Sequence, residues 1–493
     1  MNESAHEFTQ TPENFHLLAN ETLGKVDIFE PYEPSMRPSS LREIYRLTSA
    51  SNDSEVGTRG PAIAAIASSS RETIPAHQGL YSVLFGRDSL RVAIDLVHHY
   101  PQLAKTTVLK LAELQGTQFN RSREEEPGRI PHEMRDPNDP IARELTSTLE
   151  WGWPYYGSVD ATPEFVRTLS AYCALDEQNS MLLFESFLNK DGEVLTMADA
   201  LTSAVGWINR RMDANAEGLV EYKSELPRGI ENQVWKDSWD AYHHSDGTIA
   251  NHDQGIASLE VQVVAHEALL DAADLYEHVL DKKDDANQLR ERASRLSRQV
   301  LDLFWTNEKT GYFVLGTDRD ATGAIRQLKI RTSNMGHVLN SRLIEGNDEE
   351  HVHKRASILR HMQSPELLSV SGIRTLASDE VRYREGAYHN GSVWIWDTHH
   401  IAKGARRHKQ DPAFGIFADD LDRRILEVVD VIGGFPEYVR GGDRIATTTR
   451  TIDVYDNITN RVNRVEQPPQ EVQAWTVAAI LATKRRQSRR TAP

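Results

Sequence analysis

The sequence predicts an all-α toroid, which is a closed ring of helix pairs. About a dozen segments of the 493-residue chain carry apolar residues at helical spacing, with little strand and no alternation of strands with helices. Aromatic and acidic clusters recur in the loops before these helices, and a closed ring would bring such loops together at one end. No repeat of fixed period is visible, so a regular solenoid fits the pattern less well.

The elements are predicted in order along the chain. Residues 1–75 hold one helical segment and are interpreted as an arm packed on the body, and residues 76–493 as the helical barrel. The first barrel helix follows the segment FGR and is capped by Asp88 or Ser89. Residues 312–331 alternate like two strands about a turn, which predicts a small β-hairpin. Further helices are predicted within 106–119, 162–175, 196–213, 256–280, 285–305, 333–344, 351–363, 392–408, 417–432 and 471–487.

The composition and the net charge exclude some classes of function. A hydrophobic content of 39% describes an ordinary globular protein, and a net charge of -17 argues against nucleic-acid binding, which needs clustered Lys and Arg. The basic cluster KRRQSRR at 484–490 is interpreted as a solvated tail. The single cysteine, Cys173, allows no intramolecular disulfide and lies in an apolar pattern typical of a core.

The N-terminal residues indicate where the protein works. They are polar and acidic, without the basic and apolar regions of a signal peptide. No apolar run approaches the roughly 20 residues of a membrane helix. We therefore expect a cytoplasmic protein without a membrane partner, and its oligomeric state stays open.

The stretch ENQVWKDSWDAYHHSDG, at residues 231–247, dominates the prediction of function. Such dense aromatic and ionisable residues are poor material for an apolar core, because every buried polar group needs a partner. They suit a sugar, whose ring faces stack on aromatic side chains and whose hydroxyls bind carboxylates. Asp237, between Trp235 and Trp239, is the candidate general acid, because aromatic neighbours disfavour its ionised form. The alternative is that Asp237 and Asp240 merely cap a turn.

Glycosidic cleavage usually needs a second carboxylate, for which Glu437 is the candidate. In VIGGFPEYVRGGD the flanking glycines allow tight backbone approach, and Pro436 stiffens the chain just before the glutamate. Such a loop can hold a carboxylate at a fixed point in a cleft. An exposed glutamate on a glycine-rich turn is the alternative.

Other clusters supply candidates for sugar binding. Arg87 and Asp88 in FGRDS can bind neighbouring sugar hydroxyls, unless they form an internal salt bridge and cap the helix. Trp394 and Trp396 lie two residues apart and cannot share one helix face, so we expect one in the site and the other in the core. The remaining candidates are Tyr388, His389, Asp397, Trp153, Tyr155, Tyr156, Asp160, Gln473 and Trp475.

Other chemistries are less well supported. The histidine pairs at 243–244 and 399–400 lack the i, i+4 spacing of a helical zinc site. The HExxH, P-loop, GxGxxG and GxSxG motifs are absent from the sequence. The acidic run Glu124–Glu126 is interpreted as a solvated loop. We expect neither a catalytic metal nor a cofactor, and a stabilising calcium stays open.

Eight ordered segments between about residues 80 and 480 resemble bacterial amylo-α-1,6-glucosidase-like proteins. These are similar to the glucosidase domain of glycogen debranching enzyme and to the clan of processing α-glucosidase I and glucosylglycerate hydrolase. The segments are FGRDSL, PGRIPHE, YYGSVDATPEF, NQVWKDSWD, IASLEVQ, SGIRTL, YHNGSVWIWD and QEVQAWT.

The resemblance implies an (α/α)6 barrel and hydrolysis with inversion at the anomeric carbon. It implies that Asp237 is the general acid and Glu437 the general base for water. It also implies that the non-reducing sugar is bound by Arg87, Asp88, Trp235, Tyr388, His389 and Trp394.

The chain departs from many of these proteins, because only a short arm precedes FGRDS where they carry a large β-sandwich domain. A compact form favours a small carbohydrate substrate, such as glucosylglycerate, mannosylglycerate or a disaccharide. A glycoside phosphorylase on the same scaffold and a catalytically silent sugar-binding protein are the alternatives.

Overall fold

The computed structural model describes residues 83–138, 140–306, 310–448, 450–456, 461–467, 469 and 473–491. The predicted arm at 1–75 and the helical segment within it lie outside these ranges. In the described part of the chain, no helix combines the length and the apolar character that a membrane crossing requires.

Helices make up most of the described structure. In chain order they are α1 Gly86–Leu96, α2 Pro101–Glu113, α3 Pro140–Leu149, α4 Ala161–Cys173, α5 Glu177–Ser180, α6 Met197–Asp213, α7 Leu259–His278, α8 Lys283–Leu303, α9 Asn334–His337, α10 Glu349–Met362, α11 Ile395–Arg407, α12 Pro412–Ile432 and α13 Ala474–Thr491.

Six of these helices form a closed inner ring. In the order α1, α4, α7, α9, α11 and α13, each helix contacts the next one, and α13 contacts α1. Each of α2, α6, α8, α10 and α12 packs outside an inner helix, and all but α6 follow that helix directly in the chain. This alternation of inner and outer helices confirms the predicted all-α (α/α)6 toroid.

Burial separates the inner helices from the outer ones. Every residue of α7 from Leu259 to Leu269 is buried, as expected for a helix with neighbours on all sides. The outer α8 buries only Ala286, Leu289, Ala293, Leu296 and Val300, which form a single stripe at helical spacing. Cys173, at the end of α4, is buried as predicted.

Short antiparallel strands fix the loops at the N-terminal ends of the inner helices. β1 (Leu84–Phe85) and β5 (Ala257–Ser258) lead directly into α1 and α7, and β10 (Ser392–Val393) ends one residue before α11. Their partners come from other loops and are β2 (Glu133–Met134), β6 (Gly316–Arg319) and β11 (Val439–Arg440). The loops that precede the helices are therefore tied together at one end of the ring.

The remaining strands form hairpins. The predicted hairpin at 312–331 is confirmed, since β6 pairs with β7 (Ile325–Gln327) and Thr317 faces Gln327. Three further hairpins were not predicted: β3 (Ser186–Leu188) with β4 (Val194–Thr196), β8 (Leu368–Ser369) with β9 (Gly372–Ile373), and β12 (Arg450–Asp456) with β13 (Arg461–Gln467).

Two predictions about helices are wrong. The helix predicted over 333–344 ends at His337 and continues as two 3-10 turns, because Ser341 between them is extended at φ -141° and ψ 161°. The basic cluster at 484–490 belongs to α13 and is not a solvated tail. There Arg486 pairs with the buried Asp422, and the Arg485 guanidinium lies 5.2 Å from the Tyr100 ring.

The acidic run at 124–126 was also predicted wrongly. Glu124 and Glu125 are only 3% and 2% exposed, so this segment is not a solvated loop. The Ser224 hydroxyl donates to Glu124 Oε1 at 2.8 Å, and the Gln233 amide donates to Glu124 Oε2. Buried carboxylates persist where such donors replace water. Glu124 thereby fixes residues 224–233, the loop that leads to Asp237.

Candidate active site

Arg87 and Asp88 are placed by the tight start of α1. The Gly86 N–H donates to the His132 carbonyl at 2.9 Å, and Phe85 pairs with Glu133 across β1 and β2. A β-carbon at Gly86 would collide with the Pro131 carbonyl oxygen. Only glycine lets the helix begin this close to the neighbouring loop, so the first-turn side chains face the end of the ring where the loops meet.

Arg87 is the cationic centre of this cluster. Its guanidinium lies 3.4 Å from Asp160 Oδ2, 3.6 Å from Asp88 Oδ2 and 3.6 Å from Asp237 Oδ2. Burial lowers the pKa of Arg87, but the three carboxylates raise it, and the pKa ends above its ordinary value. The guanidinium therefore stays charged and holds together three carboxylates, Asp88 from its own helix turn and Asp160 and Asp237 from two other segments.

Asp88 lies near both Arg87 and Glu437. Its pKa is raised, first by burial and then by the negative charges of Asp160 and Glu437, although Arg87 acts in the opposite direction. The charges of Asp88 and Glu437 therefore interact, so the first turn of α1 and the loop before β11 lie near each other.

Asp237 is the accessible carboxylate of the cluster, with 31% of its side chain exposed. The loop around it is fixed, because the Ser238 N–H donates to His389 Nδ1 at 3.2 Å and the Asn232 amide donates to the Ser238 carbonyl at 2.8 Å. His389 Nδ1 also lies 3.9 Å from Asp237 Oδ1.

Glu437 is buried, at 4% exposure, and just precedes β11. The Tyr388 hydroxyl donates to Glu437 Oε1 at 2.6 Å. Tyr388 and His389 are consecutive, and their rings lie 4.3 Å apart. One dipeptide therefore contacts both candidate catalytic carboxylates, Glu437 through the tyrosine and Asp237 through the histidine.

Four tryptophans form an interlocked wall behind this dipeptide. Trp394 stacks on His389 at 5.3 Å and meets Trp475 edge to face at 5.5 Å. Trp475 stacks on Trp396 at 5.1 Å, and Trp235 meets Trp396 edge to face at 4.9 Å. All four rings are at most 4% exposed. Trp394 and Trp235 contact His389 directly, and Trp475 and Trp396 contact these two tryptophans.

Several predicted site residues contact the scaffold. The Tyr156 hydroxyl donates to the Leu114 carbonyl at 2.7 Å, and the Tyr155 hydroxyl accepts from the Ile230 N–H at 2.9 Å. Gln473 Oε1 accepts from the backbone N–H groups of Trp475 and Thr476, which places it at the N-terminal cap of α13.

Asp397 and Trp153 also have structural partners. Asp397 Oδ1 lies 2.5 Å from His337 Nε2 in the ring interior. Trp153 is half-buried, and its Nε1 donates to the Thr146 hydroxyl at 3.0 Å. The Arg135 guanidinium lies 5.9 Å from the Trp153 ring.

Glu133 and Arg135 belong to the cluster but were not predicted. Both are buried and paired with each other, and burial raises the pKa of Glu133 to about 7 despite Arg135, with Asp88 raising it further. The segment PGRIPHE contains Glu133, yet nothing local distinguishes it from a surface glutamate. Its place beside Asp88 depends on the pairing of β1 with β2.

Within the described ranges, no group of three or more His, Cys, Asp or Glu side chains is arranged to hold a metal ion.

Most of the chain matches the model of a known protein family. The model of the mannosylglycerate hydrolase MGH1-like glycoside hydrolase domain matches residues 86–441, more than half of the chain. The chain belongs to the MGH1-like glycoside hydrolase family. It is therefore a glycoside hydrolase. The predicted resemblance is confirmed at the level of the glycosidase clan, whereas membership of the amylo-α-1,6-glucosidase-like family is not confirmed.

Solved structures share the fold of this MGH1-like chain. GH63 mannosylglycerate hydrolase from Thermus thermophilus in complex with glucose matches with a TM-score of 0.56 and 15% identity, covering 91% of this chain and 99% of that one. The same enzyme with Tris and D-glycerate matches with a TM-score of 0.54 and 16% identity, over 83% and 94% of the two chains. An uncharacterized conserved protein from that organism matches at 0.51 and 15%, over 82% and 92%. No curated protein matches the chain.

Proposed function

We propose that this chain hydrolyses a small α-glycoside with inversion at the anomeric carbon, using Asp237 as general acid and Glu437 as general base. The observation that carries the proposal is the Tyr388–His389 dipeptide. It contacts Glu437 through a 2.6 Å hydrogen bond and Asp237 across 3.9 Å. Two carboxylates that flank one pocket are what glycosidic cleavage requires.

The two carboxylates have environments that suit different roles. Asp237 is partly exposed, so it can meet the glycosidic oxygen of a bound substrate and exchange protons with solvent. Glu437 is buried and accepts a hydrogen bond from the Tyr388 hydroxyl. A hydrogen bond of this kind favours a carboxylate over a carboxylic acid. Ionised Glu437 would accept a proton from the water that attacks the anomeric carbon, while Asp237 protonates the leaving oxygen.

The charge balance around Arg87 supports a proton in this cluster. One guanidinium is shared by Asp88, Asp160 and Asp237, so the three carboxylates exceed the single positive charge. Burial and the negative charges of Asp160 and Glu437 raise the pKa of Asp88, which favours a proton on that carboxyl group. Asp237 is the most exposed of the three carboxylates and is thus placed to meet a substrate.

The proposed binding set for the non-reducing sugar is narrower than the sequence suggested. Arg87, Asp88, Tyr388 and His389 lie around the two carboxylates and present groups that bind hydroxyls. Trp235 and Trp394 would support the pocket wall from behind. Tyr156, Gln473 and Trp475 are assigned to the scaffold, because their observed partners lie within the helices and loops.

The family supports a compact substrate. Its model is named after mannosylglycerate hydrolase, and the structural neighbour was solved with glucose and with D-glycerate. For this chain we propose the same size class, namely glucosylglycerate, mannosylglycerate or a short α-linked saccharide.

The test is sugar release from glucosylglycerate, mannosylglycerate, isomaltose, maltose and trehalose, with and without phosphate. NMR would follow the first anomer released, with Asp237→Asn as the inactive control. Release of the β-anomer without phosphate supports inverting hydrolysis. Release of the α-anomer first would indicate retention, and turnover only with phosphate would indicate a phosphorylase. A melting temperature raised by sugars that are never cleaved would indicate a binding protein.

A further inference from the structure

Trp239 is an exposed aromatic side chain beside the site. In the same loop Trp235 and Tyr242 are 1% and 0% exposed, whereas Trp239 is 60% exposed. Singly exposed apolar residues are common on protein surfaces, so the role of this ring follows from its place beside the site. The described structure assigns this ring no role in the core.

The exposure of Trp239 does not come from a loose loop. The ring projects from a turn in which the Ala241 N–H donates to the Ser238 carbonyl at 3.0 Å. Ser238 is bonded to His389, and the Asn390 amide donates to the Asp240 carbonyl at 3.0 Å. The turn is therefore fixed on both sides of the indole by the segment that holds the catalytic dipeptide.

One face of the indole is already covered. The Arg382 guanidinium lies 5.9 Å from the ring, and its Nε donates to the Gly247 carbonyl at 2.6 Å. This hydrogen bond orients the arginine, and a cation over the ring is attracted to its electron-rich face. The exposed area must then come from the edges and the opposite face, which form a flat, pre-oriented surface.

The position of this surface matches the leaving group. Trp239 follows Asp237 by two residues, so their α-carbons are at most about 7 Å apart. Arg87 and His389, which lie beside Asp237, are nearly fully buried, whereas Trp239, two residues further on, is mostly exposed. A general acid must contact the leaving oxygen, and the part of the substrate beyond that oxygen extends toward solvent.

We infer that Trp239 is an outer subsite on which the leaving group stacks as a sugar ring. This inference rests on the proposed function and narrows it to α-linked di- or oligosaccharides, in preference to glycosides with a small acyclic leaving group. The C–H face of a pyranose complements an electron-rich aromatic face. An acyclic acid has no such face.

Arg384 lies beside Trp239 and can bind the polar edge of a sugar ring stacked on the indole. It is 77% exposed on its side chain and lies 3.9 Å from Asp240, within the turn that carries Trp239. Sugar hydroxyls at the edge of a stacked ring would accept from its guanidinium.

The test compares substrates that share a non-reducing glucose but differ in leaving group. Isomaltose and maltose present a hexose, and glucosylglycerate presents an acyclic acid. Trp239→Ala should lower kcat/KM at least about ten-fold more for the disaccharides than for glucosylglycerate, mainly through KM. Trp239→Phe keeps a flat ring and should recover most of the loss. Phe119→Ala removes a 73% exposed ring from another loop. It should leave kcat/KM for isomaltose and for maltose, each relative to glucosylglycerate, unchanged.

Binding gives a readout that does not depend on turnover. Calorimetry would measure isomaltose, maltose and glucosylglycerate on Asp237→Asn and on Asp237→Asn/Trp239→Ala. A selective loss of disaccharide affinity in the double variant supports the subsite even if the wild type cleaves none of these compounds, which would refute only the proposed function. Equal losses for all ligands, or no loss for any, would overturn the subsite.

Discussion

The Tyr388 hydroxyl donates a 2.6 Å hydrogen bond to Glu437 Oε1, and a hydrogen bond donated to a carboxyl group favours its ionised form. Tyr388→Phe should therefore lower kcat by about 10- to 100-fold and move the acid limb of its pH profile to higher pH. The pH dependence of kcat measures both effects. Tyr156→Phe is the matched control, because it removes a buried hydroxyl outside the pocket. It should cost about 1 kcal/mol of stability and leave the profile in place.

Asp237→Asn and Glu437→Gln should each reduce turnover by about a thousand-fold or more, because each removes a group that transfers a proton in the reaction. Both substitutions preserve shape, so the melting temperature should stay close to that of the wild type. Asp240→Asn, in the adjacent turn, is the control and should retain most activity. Near-normal turnover in either of the first two variants would refute the role assigned to that residue.

Lys236 should make stability depend on pH. It is 1% exposed, and burial lowers its pKa to about 7, although Asp397 opposes the shift. Between this value and the ordinary lysine pKa of about 10.4, the unfolded chain binds a proton that the folded chain does not. The contribution of Lys236 to the free energy of unfolding therefore rises with pH through that window, by on the order of a few kcal/mol.

Denaturant unfolding of Lys236→Met at pH 7 and pH 9.5 tests this sign. The variant has no ammonium to bury, so any stability advantage over the wild type should be largest at pH 7 and shrink at pH 9.5. Lys283→Met, at a position with a 70% exposed side chain, should show the same difference from wild type at both pH values. An advantage for Lys236→Met that grows with pH would contradict the prediction.

Gly86→Ala should damage both the fold and the site. The added methyl meets the Pro131 carbonyl oxygen, so α1 must shift and carry Arg87 with it. We expect a loss of about 1–3 kcal/mol in unfolding free energy together with lower activity. Gly415→Ala in α12 is the control, since its nearest new neighbour is Lys409 Cβ at 3.9 Å. Better helix propensity should raise stability there by up to about 1 kcal/mol.

The helices were predictable because burial imposes helical spacing on the apolar residues, as in α8. The contacts were not. Glu124 is surrounded by charged residues in sequence, so it resembled a solvated loop, and its partners Ser224 and Gln233 are distant in the chain. The helix predicted over 333–344 is interrupted by one extended residue, Ser341, and no local sequence pattern indicates this interruption.

In the candidate site, too, the types of residue could be predicted from the sequence, whereas their contacts could not. Asp237, Glu437 and Arg87 could be selected from unusual local composition. Tyr156 and Gln473 stood in equally rich clusters, yet their polar atoms bond to Leu114 and to the start of α13. Glu133 was missed, because its place beside Asp88 is created by strand pairing and by no motif of its own.

The contact between α13 and α1 also sets the order of events during synthesis. α1 ends at Leu96 and α13 begins at Ala474, so roughly 380 residues separate two neighbours of the inner ring. At about 5–20 residues per second, the ribosome would need roughly 20–80 s to supply the second after the first. During that interval the surface of α1 that packs on α13 is without this neighbour. The inner ring of described helices therefore closes only when α13 docks on α1.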